Sequence, residues 1–285
     1  MFGTRSSVNW DTQPGKFDVL NLRMRFDSTS AWEIPDLAPT DFVPSSLAAW
    51  NMPRHRDHAA LTGGALHFFL DDYRFETVWS SPERLFDRVK AVGAALTPDF
   101  SLWTDMPKAA QVWNVYRSRW IGAYWQSQGI EVIPTACWAT PDTFEFCFDG
   151  IPEGSTVAIS SMGIQSKKAE QALFRAGVQA LIDLKQPRLL LAYGRLRYCD
   201  DIHLPEVREY PTFWDRRRKQ VSETWEDVAQ AAAPVPDQES PGRPAQPRSP
   251  EPVEAPQADL HQALADLQAQ ARVLARETLV PLQAV

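Results

Sequence analysis

Cysteine is scarce in this chain, long apolar runs are missing, and positive charge is in deficit. The three cysteines among 285 residues, Cys137, Cys147 and Cys199, form neither an even set nor a CxxC pair. A disulfide framework, a zinc knuckle and a cysteine-ligated iron–sulfur motif are therefore unsupported, and each cysteine reads as a reduced thiol in or near the core. No segment approaches the roughly 20 consecutive apolar residues of a membrane-spanning helix, and the amino terminus carries no apolar signal core. A cytoplasmic protein without membrane attachment is expected. The net charge of −7 argues against coating duplex nucleic acid through bulk positive potential, because phosphate neutralisation needs clustered Lys and Arg. GxxxxGKS/T, GxGxxG after a strand, HExxH and GxSxG are all absent, which sets aside the familiar nucleotide-loop, zinc-protease and serine-hydrolase mechanisms.

What is present is a repeat of β-α units. Between Leu66 and Gly163 the runs HFFLDDYRFE, ALTPDFSLW, EVIPTACW and TVAISSMG each pass from apolar residues into polar or turn residues. Ala65 to Leu70, Ala94 to Leu96, Ile130 to Pro134, Val157 to Ser160 and Arg188 to Ala192 read as buried strands of a parallel sheet. Helices are expected from Ser81-Pro82, from about Pro107 to Gly129, briefly after Thr140-Pro141, and from about Ser166 to Lys185. Strand, turn and helix in this order imply an α/β fold with right-handed crossovers and a mainly parallel sheet, either doubly wound or an incomplete barrel. In both, the carboxyl ends of the strands mark the site.

The domain reading has four parts. Residues 1–64, rich in proline and isolated aromatics, read as a wrapping extension, and residues 65–230 as the α/β domain. Residues 231–257 contain no aromatic side chain and read as a disordered, proline-rich linker. In 258–285, Leu260, Leu264, Leu267, Ala271 and Leu274 alternate spacings of four and three, the seam of an amphipathic or coiled-coil helix. That seam offers a homo-oligomer contact or a docking site for a protein partner.

Carboxylates sit at the strand ends. Asp71 and Asp72 follow the first strand and Asp99 the second, so neighbouring strands bring them to one edge as candidate catalytic groups. Asp72 with Asp99 are candidate oxygen ligands for a divalent cation, Mg or Mn. The bland alternative is helix capping or ion pairing. On the helix QVWNVYRSRWIGAYWQSQG, Arg117 shares a face with Trp113, Tyr116, Trp120 and Tyr124, while Arg119 turns the other way. Arg117 either pairs with Asp71, Asp72 or Asp99, or holds an anionic ligand that Asn114 helps orient. Ser161, in the strand-to-helix turn, and Trp138 complete the ligand-binding candidates. In YPTFWDRRRK, Trp214 beside Arg216, Arg217, Arg218 and Lys219 is the nucleic-acid candidate, weighed against a solvated helix face.

The segments FFLDDYRFETVW, TPDFSLWTDMP, WNVYRSRWIGAYWQSQGIEVIPT and FCFDGIPEGSTVAISSMG resemble a family catalogued as domain of unknown function 4417, found in bacteria, phages and mobile elements. The resemblance covers about Leu66 to Gly194. It implies a shared α/β core and assigns neither an activity nor a catalytic residue. Two functional readings follow from the residues. One is a metal-assisted, phosphate-handling hydrolase or transferase acting on nucleotide or nucleic acid. The other is a non-catalytic binding or scaffold module of a phage or mobile-element system, recruiting itself or a partner through its terminal helix.

Overall fold

A computed structural model describes residues 18–162 and 167–218. The linker at 231–257, the heptads of 258–285 and Lys219 lie outside the described residues. Among the described residues seven strands alternate with helices: β1 (Leu47–Ala49), α1 (Pro53–Thr62), β2 (Ala65–His67), α2 (Thr77–Ser80), α3 (Pro82–Val92), β3 (Ala94–Leu96), α4 (Lys108–Ser127), β4 (Glu131–Ile133), β5 (Thr156–Ser160), α5 (Lys168–Lys185), β6 (Leu189–Tyr193) and β7 (Glu206–Tyr210). Short 3₁₀ turns at Asp72–Arg74 and Pro141–Glu145 interrupt the connections. Proline opens α1 and α3, and left-handed Gly63 and Gly93 close them.

All pairings are parallel, in the orders β1-β2-β3-β4 and β5-β6-β7. A parallel bridge from Thr135 to Ala158 joins the two sets, with Ala136 and Ala158 each donating across it at 2.8 Å. Strand alternation then sorts the core. Leu66, Ala95 and Val132 face outward to pack with Ala59, Val89, Ile121 and Trp125 of the surrounding helices. Val157, Ile159, Leu190 and Ala192 face outward to Phe174, Val178 and Leu181 of α5. The opposite face of every strand feeds one cluster, in which Leu47, Ala65, Leu96, Ile133, Ala158, Leu191 and Tyr210 meet. A sheet whose first and last strands share one interior is curled into a barrel, and this packing decides for the incomplete barrel over the doubly wound sheet. Among the described residues no ladder joins β7 to β1, so the barrel stays open.

The structure extends the repeat beyond the periodic region. Residues 47–62, read from sequence as part of the extension, supply β1 and α1, and β1 pairs with β2 in register Leu47↔Ala65. β7 lies at the far edge against β6. In the segment ahead of β1, Trp32 packs against Phe146 and Phe26 against Trp120. The segment also crosses the amino ends of the strands. The Thr40 amide donates to the Ser155 hydroxyl, which donates back to the Thr40 carbonyl, and the Thr156 amide donates to that same carbonyl. The Thr40 hydroxyl donates to Glu131, and Phe42 and Val43 pack under the inner cluster. That end of the barrel is plugged.

Arg119, on the side of α4 away from Arg117, is buried. It is 2% exposed, and it donates to the carbonyls of Asp149 (3.0 Å), Thr135 (3.0 Å) and Cys147 (3.2 Å). Burial holds its proton affinity down to about 10, still charged at neutral pH. The guanidinium is a structural pin that fixes the loop after β4 to the Pro141–Glu145 turn.

Candidate functional site

A cavity of about 700 Å³ opens at the carboxyl ends of the strands, where open α/β sheets and barrels place their ligands. Each connection contributes. His55 and Met52 come from the start of α1, and Phe69 and Asp71 from the turn after β2. Asp99 and Leu102 follow β3, Cys137 and Trp138 follow β4, and Arg216 and Trp214 follow β7. Ser160 and Tyr193 end β5 and β6 at its floor, and Glu170 and Phe174 of α5 form one wall. The apolar runs overshoot their ladders because the chain curls over this rim. Phe68 and Phe69 leave β2, and the Leu70 amide donates back to the Phe68 carbonyl at 2.7 Å.

Among the cavity's carboxyl groups, Asp99 is strongly altered by its surroundings. Its Oδ1 is buried without a hydrogen-bond partner. Burial, then the charge of Asp72, pushes its pKa up to about 7, against a hydrogen bond from the Cys137 thiol and the charge of Arg119. Burial and Asp99 together push the Cys137 thiol well above its ordinary range, so it is a thiol and not a nucleophilic thiolate. A carboxyl poised near neutrality in a cavity can both give and take a proton.

The other expected residues are spread differently. Asp71 lines the cavity rim but pairs with Arg74 at 2.9 Å. Asp72 turns away from the cavity to accept from the Ser101 amide at 3.1 Å and its hydroxyl at 2.8 Å, tying the turn after β2 to the loop after β3. Arg117 takes its ion pair from Glu76, at 2.8 Å, and not from any of the three aspartates. Its other arm donates to Asn114 at 2.6 Å, and its guanidinium lies 3.9 Å from the Phe100 ring centroid. Asn114 itself donates to the Ser101 carbonyl at 2.7 Å. Neither Arg117 nor Asn114 lines the cavity. Ser161 is buried and donates to the Tyr193 carbonyl, while its neighbour Ser160 faces the opening. Trp138 does line it, held by its indole N–H donating to the Leu173 carbonyl at 3.2 Å and by stacking on Phe174.

Of the basic run, Trp214 and Arg216 line the cavity, whereas Arg217 and Arg218 are exposed and Arg218 pairs with Asp215 at 2.6 Å. The expected cation site from Asp72 and Asp99 lacks a further ligand: among the described residues no three His, Cys, Asp or Glu side chains converge to hold a metal. His55, Cys137, Tyr193 and Glu170 are site residues that sequence reasoning passed over. The signal was position, since each directly follows or ends a parallel strand or faces one from α5.

Fold and cavity together define an α/β protein on an open parallel barrel with a cleft at its strand carboxyl ends. The chain belongs to the family described as "Domain of unknown function (DUF4417)", whose profile matches residues 26–211, from the plug segment to the end of β7. It is 80% identical over 237 residues to the "Gene 1 protein" of Mycobacterium phage D29, covering 82% of this chain and 88% of that protein. It is 81% identical over 222 residues to the "Gene 1 protein" of Mycobacterium phage L5, covering 78% of this chain and 97% of that one. No solved structure matches. Among the described residues no helix is long and apolar enough to cross a membrane.

Proposed function

We propose that this protein is a hydrolase or transferase acting on a nucleotide-sized small molecule, with Asp99 as its acid–base group. The observation that carries this reading is Asp99 itself: a carboxyl with an unpartnered buried oxygen, lifted to about 7, at the edge of a 700 Å³ cavity. The volume lies in the range of small-molecule sites, about 300–1,000 Å³. Its walls supply flat apolar faces from Trp138, Phe69 and Phe213 for a planar ring. Asp72 acts as a positioning residue, holding the Ser101 loop and raising Asp99 by its charge.

The test is substrate loss followed by chromatography and mass spectrometry, with the full chain incubated against a panel of nucleosides and nucleotides. Asp99→Asn is expected to keep ligand-induced thermal stabilisation while turnover falls by about 100-fold or more. A panel in which no compound shifts the melting temperature and none is consumed would overturn the reading.

A further inference from the structure

Two side chains that line the cavity carry a buried nitrogen without a hydrogen-bond partner, Nδ1 of His55 and Nε of Arg216, and a third such nitrogen, Nε2 of His67, belongs to a fully buried ring that does not line it. They come from the start of α1, the end of β2 and the helical turn at 213–218, segments that only the curl of the barrel brings together. Burial first, and the charge of Arg216 second, lower the proton affinity of both histidines, which places all three within electrostatic reach. Tyr193 links them. Its ring lies 4.4 Å from that of His67, its hydroxyl accepts the Phe213 amide at 3.1 Å, and the charge of Arg216 acts on that hydroxyl against the effect of burial.

Among the described residues Arg216 makes no ion pair, and nearby carboxylates are engaged: Asp71 with Arg74 at 2.9 Å, Asp215 with Thr212 and Arg218 at 2.6 Å each. His67 is fully buried and its Nδ1 accepts the Phe69 amide at 3.3 Å, so its proton sits on Nε2, a donor. A buried guanidinium N–H and two imidazole nitrogens left unpaired are costly, and the cost is removed by an acceptor that arrives from outside. Donors converging from three chain segments suit a tetrahedral oxyanion better than a planar one.

We propose that the Arg216–His55 corner, backed by His67, binds the terminal phosphate of a phosphomonoester and directs the rest of the ligand across the cavity towards Asp99 and Trp138. This rests on the cavity being a ligand site, and it names the charged end of that ligand. Calorimetry on the full chain, wild type and Arg216→Gln, separates the two ideas with three probes: inorganic phosphate, a nucleoside 5′-monophosphate and the same nucleoside without phosphate. Expected is binding of the monophosphate about tenfold or more tighter than the nucleoside, an advantage that Arg216→Gln removes and His55→Gln reduces. Phosphate binding that is lost in Arg216→Gln, with both nucleosidic probes inert, keeps the corner and overturns the ring-bearing ligand. Equal binding of monophosphate and nucleoside, unchanged in Arg216→Gln, overturns the corner and keeps the cavity. Silence from all three overturns both. An unchanged thermal melt of Arg216→Gln shows that a lost signal is not lost folding.

Discussion

His67 and Tyr193 meet ring to ring at 4.4 Å although they end β2 and β6, with three strands between them. Four steps across a flat sheet would separate them by about 19 Å. Their contact, with Phe69 stacked on Tyr193 at 5.1 Å, therefore marks where the sheet closes on itself, directly under the cavity.

Tyr193→Ala is accordingly expected to lose about 3–5 kcal/mol in urea unfolding, the range for removing a buried aromatic side chain. Tyr193→Phe keeps the ring and loses only the hydroxyl that accepts from Phe213, at a cost of about 1 kcal/mol. Near-equal losses in the two variants would mean that the hydroxyl, not the ring contact, holds the curl.

Gly177 sits inside α5, where alanine would ordinarily favour the helix by about 1 kcal/mol. Here an added Cβ would collide with the Trp138 indole. Gly177→Ala is expected to destabilise by about 1–3 kcal/mol through overpacking, and Trp138→Leu in the same chain to recover part of that loss. A stabilised single variant would show that Trp138 moves freely and is not a fixed cavity wall.

Arg117 offers a discriminating control. Its side chain is 11% exposed while Glu76 is 45% exposed, so solvent screens part of the pair. Glu76→Ala should cost about 1–2 kcal/mol, read as a lower urea midpoint. Ligand stabilisation of the melt should stay within about twofold of wild type, since neither residue lines the cavity. Loss of ligand binding in this variant would return Arg117 to the site.

The strands were legible wherever an apolar run was continuous, as at Ala94–Leu96, because a strand buried on both faces carries no polar interruption. β1 was not, since LAA beside Trp50 is too short to show any period, and β7 was not, since EVREY alternates charge as an exposed edge strand does. Strand-end position pointed to Asp99 and Trp138, but it could not say which way a side chain turns. Asp72 and Arg117 read as strongly as Asp99, and only the third dimension gave them Ser101 and Glu76 as partners. His55, Tyr193 and Arg216 converge through the curl of the sheet, a relationship no local spacing encodes.

Asp99 sets a pH dependence whose sign is opposite to that of a salt-bridged carboxylate. In the unfolded chain it ionises near 3.8, whereas burial in the fold delays ionisation to about 7. Between those values the folded state carries a proton that the unfolded state has released, so stability falls as pH rises through the interval. The contribution is complete by about pH 7 and on the order of a few kcal/mol at most. Asp99→Asn removes the titrating proton while keeping the shape. Its stability relative to wild type should therefore be higher at pH 8 than at pH 4, with the difference opening between pH 4 and 7 in urea unfolding. His67 works the other way: its folded pKa of about 3 lies below the usual 6.5, and it destabilises the fold as pH drops through that window. The double variant Asp99→Asn, His67→Gln separates the two. If Asp99→Asn leaves the pH profile of wild type unchanged above pH 4, the carboxyl is ionised throughout and cannot serve as the acid in catalysis.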